Sequence, residues 1–239
     1  METAIKTGDV DTAIRTGRTT VAAFRQLEDA WGLSATLYHL GWGLRQFGRF
    51  ADAAPALEEA IDVARGAGLW NTAQWALADL AIEKVHLGDH DTARELFDEA
   101  AAASREIGDG AGEVLAGYGY GLLAHVAGDW AGARQHYAVA VDAFLNLGTP
   151  VYEGIVLAGL GRCDEADGDT DAAQARYQDA LEVGRRLGEP SVTASALEGL
   201  ARLASAGGDP ATASARFVEA AGIRERFNRP APPHERADL

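Results

Sequence analysis

Six histidines, one cysteine and a set of closely spaced aspartates are the residues of this 239-residue chain that could do chemistry. Asp9/Asp11, Asp89/Asp91 and Asp169/Asp171 have a spacing that would suit a hard cation. Each pair follows a glycine, where one aspartate serves the turn and the other caps a helix; Asp91 and Asp171 are read as the caps. His86 and His90 stand four apart, as a zinc pair on one helical turn would, but Gly88-Asp89 ends the helix between them. The run Gly117-Tyr118-Gly119-Tyr120-Gly121 has dinucleotide-loop glycines but follows no strand, and no P-loop signature is present. Cys163 cannot form an internal disulfide, fits a reducing cytoplasm, and reads as a small buried hydrophobe. The chemistry-bearing residues therefore predict no metal, no cofactor and no catalytic group. An enzyme using His39, His86 or His125 as acid–base groups, titrating near pH ~6.5, is the least favoured alternative.

The elements that position these residues come from a period of 40 residues. Gly8, Gly48, Gly88, Gly128, Gly168 and Gly208 recur in strict register, and five positions later stand Ala13, Ala53, Ala93, Ala133, Ala173 and Ala213. Gly68, Gly108, Gly148 and Gly188 fall halfway between, with Asn228 in the next slot. Glycine, or asparagine in second place, suits the left-handed residue at which a helix stops. Asp209-Pro210 reads as a cap with proline in the first turn, and Pro150 and Pro190 open helices in the same way. Each unit is thus a pair of helices of about 14–17 residues, too small to bury its own apolar face and obliged to stack on its neighbours.

Bulk properties exclude several partners. A hydrophobic content of 47% is ample for a core, and a formal net charge of −15 argues against phosphate backbones and acidic membranes. Lys6 and Lys84 are the only lysines, and the arginines are scattered among acids. No apolar run is long enough to span a bilayer, and the N-terminus lacks a signal peptide's apolar stretch, so the expected location is cytoplasmic.

One helix offers leucine followed by a small residue, as in Leu40-Gly41, Leu80-Ala81, Leu160-Gly161 and Leu200-Ala201. The next carries alanine, an aromatic and alanine, as in Ala93, Phe97, Ala100 and Ala133, Tyr137, Ala140. This order resembles the tetratricopeptide repeat over essentially the whole chain, with helices longer than the commonest form of that family. Gly117 departs from the pattern, standing where other units have Leu37, Leu77, Leu157 and Leu197. The resemblance implies an all-α, right-handed α-solenoid of tetratricopeptide-like helix pairs. Its parts would be a capping half repeat (1–30), five repeats (31–70, 71–110, 111–150, 151–190, 191–229) and an extended, poorly ordered tail (230–239). The apolar face of the helix over 11–28, with Ala13, Val21 and Phe24, would lack a full partner. That end would stack on a second copy to give a homodimer, or mark where a larger protein was cut.

In the family the first helix of each pair lines the concave surface. The resemblance therefore places Tyr38, His39, Trp42, Arg45, Trp75, Asp79, His86, Tyr118, Leu122, His125, Arg162 and Arg202 in a binding groove. Gly119, Gly159 and Gly199 would form a column beside them that a ligand approaches closely, while Trp31, Trp70 and Trp130 would pack between repeats. The function implied is a non-enzymatic protein-interaction scaffold holding a peptide or protein segment. The segment Arg224–Arg236 resembles the close of such repeats in actinobacterial ATPase-type transcription regulators, so a bacterial regulatory part is the expected setting. The alternative is a small-molecule effector domain; a groove closed by the chain's own tail would favour that or the enzyme, an open one the peptide.

Overall fold

The computed structural model describes residues 1–236, and among them the chain is helical throughout with no strand. It divides into two compact units, Met1–Gly119 and Tyr120 onward, with the boundary inside the expected third repeat. The first unit contains α1 (Glu2–Thr7), α2 (Val10–Gln26), α3 (Ala30–Gln46) and α4 (Phe50–Gly66). It continues through α5 (Trp70–His86), α6 (His90–Ile107) and the first half of α7 (Ala111–Val126). The second holds the rest of α7, α8 (Trp130–Asn146), α9 (Pro150–Ala166), α10 (Thr170–Leu187), α11 (Pro190–Ala206) and α12 (Pro210–Phe227). Within each unit consecutive helices pack on one another, as in the tetratricopeptide class of solenoid.

The turns explain the period. Gly88 sits at φ 83°, a conformation that costs a residue with a Cβ, and Asn228 ends α12 at φ 50° in the same region. The aspartate after the glycine then caps the next helix. Asp9, Asp89, Asp129, Asp169 and Asp209 each accept a hydrogen bond from the backbone N–H three residues on. The caps are thus Asp89 and Asp169, not Asp91 and Asp171; the latter lie in the first turn, where a negative charge suits the helix dipole.

Packing turns on one residue of each second helix. Leu57, Phe97, Tyr137 and Tyr177 are fully buried. Tyr137 lies between Gly121 and Gly159; a Cβ on either would stand 2.5 and 2.7 Å from its ring. Tyr177 lies likewise between Gly161, at 2.7 Å, and Gly199, and Phe97 presses on Gly119. The glycine column is therefore filled by the chain's own aromatic rings, which corrects the expectation that a ligand approaches it. The exposed ladder Arg25–Glu59, Arg65–Glu99 and Arg185–Glu219 ties second helix to second helix at small energetic return, about 0–1 kcal/mol each.

The ends differ from expectation. Ala13 and Val21 are buried, the Phe24 ring lies against Gly32, and Ile5 of α1 lies against Gly43 of α3. The short helix α1 thus covers Ala13, in one cluster with Ala4 and Ile5, and the apolar face expected to lack a partner is less bare than the sequence implied. Trp31 is 65% exposed and Trp70 also exposed, so neither packs between helix pairs. Of the expected extended tail, residues 233–235 form a turn and Ala231 is buried, as is Arg229 just before it; 237–239 lie outside the described residues.

Two glycines of α7 give opposite predictions. A Cβ at Gly117 meets nothing within 4 Å, so Gly117→Ala should stabilise by up to ~1 kcal/mol through helix propensity. Gly119→Ala drives a methyl into the Phe97 ring, and overpacking of about 1–3 kcal/mol should outweigh the same gain. Thermal unfolding of the two variants should show melting temperatures moving in opposite directions.

Candidate functional site

The expected groove residues lie on first helices: α3, α5 and the first half of α7 in one unit, the rest of α7, α9 and α11 in the other. In the first unit the Tyr38 and His39 rings stand 5.1 Å apart, with Tyr38 half-buried and His39 exposed. Trp42 and Trp75 are also half-buried. Trp42 packs against the cluster of Ala4, Ile5, Ala13 and Phe47, so part of its ring belongs to the core contact with α1. His86 stands beside Phe50 at 4.8 Å, near the turn between α5 and α6. Tyr118 is buried at 8% exposure, which makes it a packing residue and not an exposed anchor.

The first unit also contains a buried charge cluster. Arg45 donates to Asp79 at 2.7 Å, and its Nε stands 3.2 Å from Glu83 Oε1. That proximity is an ion-pair distance, yet neither Glu83 oxygen has a hydrogen-bond partner. Burial, with the Asp79 charge adding to it, outweighs Arg45 and pushes the Glu83 carboxyl up to about 8. Asp79 occupies the register of Gly119, Gly159 and Gly199. Its preceding second helix carries the shorter Leu57 where the others carry a ring, which leaves space for a side chain.

In the second unit Leu122 and His125 are buried, and Arg162 and Arg202 are half-buried. Each tyrosine wedge meets a polar first-helix residue twelve positions earlier. The Tyr137 hydroxyl lies 3.4 Å from His125 Nδ1, and the Tyr177 hydroxyl donates to Glu165 at 2.7 Å. Arg202 grips Glu165 through Nε at 3.1 Å and Nη2 at 3.1 Å, and Arg162 donates to it at 3.2 Å. Burial would raise the Glu165 carboxyl, but the Arg202 hydrogen bonds hold it below its ordinary value. The spacing of twelve was a legible signal for Glu165; nothing comparable marked Glu83.

His125 lies under other groups of the same unit. The Trp130 ring is 4.9 Å from it and carries Arg162 over its face at 5.8 Å. The tail places His234 edge-on to His125 at 5.2 Å. Burial above all, then His234, Arg162 and Arg202, push the imidazole down to about 3, so it is neutral at pH 7. Burial likewise raises the Cys163 thiol to about 11, which leaves it unreactive. Among the described residues no three metal-ligating side chains are grouped to hold an ion, and no helix is long and apolar enough to cross a membrane.

Known proteins share this fold. The tetratricopeptide repeat matches residues 38–106 and 79–144, and again 152–226. The chain belongs to the tetratricopeptide repeat family. Among solved structures, this tetratricopeptide repeat protein is similar to BtubC (BKLC) from P. vanneervenii, 22% identical, with a TM-score of 0.63. That likeness covers 93% of this chain and 94% of the other. The apo form of RapI matches at 10% identity and a TM-score of 0.63, over 96% of each chain. Both likenesses are of fold. No curated protein matches the sequence. Repeats of this family generally mediate protein–protein interaction, and the family is typically a scaffold without enzymatic activity.

Two buried groups predict opposite pH slopes. Between about 3 and 6.5 the unfolded chain binds a proton at His125 that the folded chain refuses, so stability is full above 6.5 and falls as pH drops. Up to about 1.4 kcal/mol per pH unit is at stake, and His125→Gln should flatten the loss in denaturant unfolding between pH 7.5 and 4. Between 4.5 and about 8 the folded chain holds a proton at Glu83 that the unfolded chain releases, so stability falls as pH rises. Glu83→Gln should abolish that decline, making the variant more resistant to denaturant than the parent at pH 8.5.

Proposed function

We propose that this tetratricopeptide repeat protein is a non-enzymatic interaction module that holds a peptide or protein segment against its first-helix faces. The observation that carries the reading lies in the second unit, where a stretch of polypeptide, the chain's own residues 229–236, already rests on that face. Its Glu235 accepts a hydrogen bond from Ser195 of α11, and its His234 meets His125 of α7. In the first unit Tyr38, Trp42 and Trp75 retain exposed ring surface, and exposed rings flanking polar groups are typical anchors of binding energy.

The resemblance of the segment over 224–236 to the end of actinobacterial regulators supports a regulatory, bacterial and cytoplasmic setting, in which the module would sense a protein partner. An acidic chain with scattered arginines supports a protein over nucleic acid or membrane as that partner. Closure of the second face by the tail is the observation that favours the alternative, a receptor for a small effector. The tail engages through a side-chain carboxylate and a ring, as a bound peptide would, and this weighs for the peptide.

Selection of binders from a random peptide library on the whole chain tests the reading. Trp75→Ala should weaken the selected peptides about thirtyfold, the loss of an interface aromatic of roughly 2 kcal/mol, with the melting temperature nearly unchanged. Trp42→Ala should lower the melting temperature as well, because its ring also packs against Ile5 and Phe47. A library that yields no binder, or binders indifferent to Trp75 and Tyr38, would sink the proposal.

A further inference from the structure

The tail is held by a charge cluster that the sequence leaves scattered over three elements. Arg224, near the end of α12, forks onto Glu198 of α11 with its Nε at 2.6 Å and Nη2 at 2.7 Å. The same guanidinium reaches the Ser195 hydroxyl at 3.2 Å. It then takes hold of the tail at both ends, donating to the Arg229 carbonyl at 3.2 Å and to the Glu235 carboxylate at 3.4 Å. Ser195 Oγ donates to the same Glu235 oxygen at 3.0 Å, and Arg236 Nε closes the segment on the Ala231 carbonyl at 2.8 Å. Arg162 and Arg202 of the first helices and Arg224 of α12 stand against the two carboxylates Glu165 and Glu198. In a chain of net charge −15 this is a local excess of positive charge, and Glu235 answers it.

The second contact is a ring. His234 lies edge-on to His125, itself walled by Trp130 and beside the Tyr137 hydroxyl. The face therefore reads two neighbouring features of the tail: a flat ring side chain and, one residue later, a carboxylate. The pattern Arg229-Pro230-Ala231-Pro232-Pro233-His234-Glu235-Arg236 adds three prolines that restrict the unbound tail and lower the ordering penalty on binding. Glu235 keeps a quarter of its side chain exposed, and the segment has no helix or strand to lock it down beyond one turn.

We propose that residues 229–236 are a displaceable internal ligand of the second unit, and that this face accepts a peptide presenting a ring followed by a carboxylate. This deepens the peptide-binding reading above and rests on it. The tether presents the tail at an effective concentration of about a millimolar, so a competing peptide binds weakly until it exceeds the tail's own affinity or the tail is released. The tail is then a threshold that screens out peptides lacking the ring and the carboxylate.

A fluorescently labelled octapeptide with the sequence of residues 229–236 is the probe. Titrated into the full chain and into full-chain His234→Ala/Glu235→Ala, it should bind the double variant about tenfold more tightly. That follows if its free Kd is about 0.1 mM against the tether's roughly millimolar concentration. The same peptide with glutamine for its glutamate should lose most of that binding. Equal affinity for both chains, or none for either up to millimolar peptide, overturns the proposal. Should the double variant fail to fold, hydrogen exchange in the unmodified chain decides. Saturating octapeptide, made with heavy isotopes to distinguish its fragments, must speed exchange at the amides of Glu235 and Arg236, which donate to the Pro232 and Pro233 carbonyls. Unchanged exchange there overturns the proposal equally. Library-selected peptides that depend on Trp75 would survive that outcome, so failure of the tail mechanism and failure of the peptide-binding reading are told apart.

Discussion

An aromatic ring held edge-tight between glycines of adjacent first helices is the contact on which the stacking depends. Tyr137 and Tyr177 each lie against one glycine of their own helix pair and one of the next, and Phe97 against Gly119. Van der Waals attraction falls steeply with separation, so the ring secures this packing only if neither backbone carries a Cβ at the contact. That requirement explains why Gly119 and Gly121 of α7 and Gly159 and Gly161 of α9 are kept despite the helix propensity they forfeit. In the second unit it also fixes the distance between the first helices α7, α9 and α11.

The same wedge decides where polarity is admitted to the core. A tyrosine brings a hydroxyl that cannot be buried without a partner, and His125 and Glu165 stand twelve residues before Tyr137 and Tyr177 to meet it. Phe97 carries no hydroxyl, and the corresponding residue is Val85, buried and apolar. Leu57 is shorter still, and the released space admits Asp79, with Arg45 drawn in to hold its charge. Glu83 remains beside them with no hydrogen-bond partner, and the low polarity of its surroundings holds it protonated across neutral pH.

The two units treat their first-helix faces differently. The first leaves aromatic surface at Tyr38, Trp42 and Trp75, while the second has its positive cluster covered by residues 229–236. Exposed apolar rings without a cover are tolerated only in small patches, and a cluster of arginines that outnumbers its carboxylates is a similar liability. A face that receives a segment of polypeptide, as proposed for these two, has to meet one of these conditions in its empty state. The chain carries both solutions.

The helix pairs, their turns and their order were legible from the sequence, because the period places glycine, aspartate and alanine where local backbone geometry alone demands them. Capping was legible in kind but shifted by two residues, since a glycine-aspartate step satisfies the turn and the cap together and leaves Asp91 and Asp171 to the first turn. The face was legible only as a list of positions. Whether Tyr118 would be buried, whether the glycine column would be open, and where Trp31 would point depend on which neighbour's side chain arrives first. Those contacts join residues tens of positions apart. The tail is the extreme case: its composition reads as a linker, yet Arg224, Ser195 and His125 together give it a site. A short proline-rich segment has no local pattern that encodes its own docking, so the tertiary structure alone could decide it.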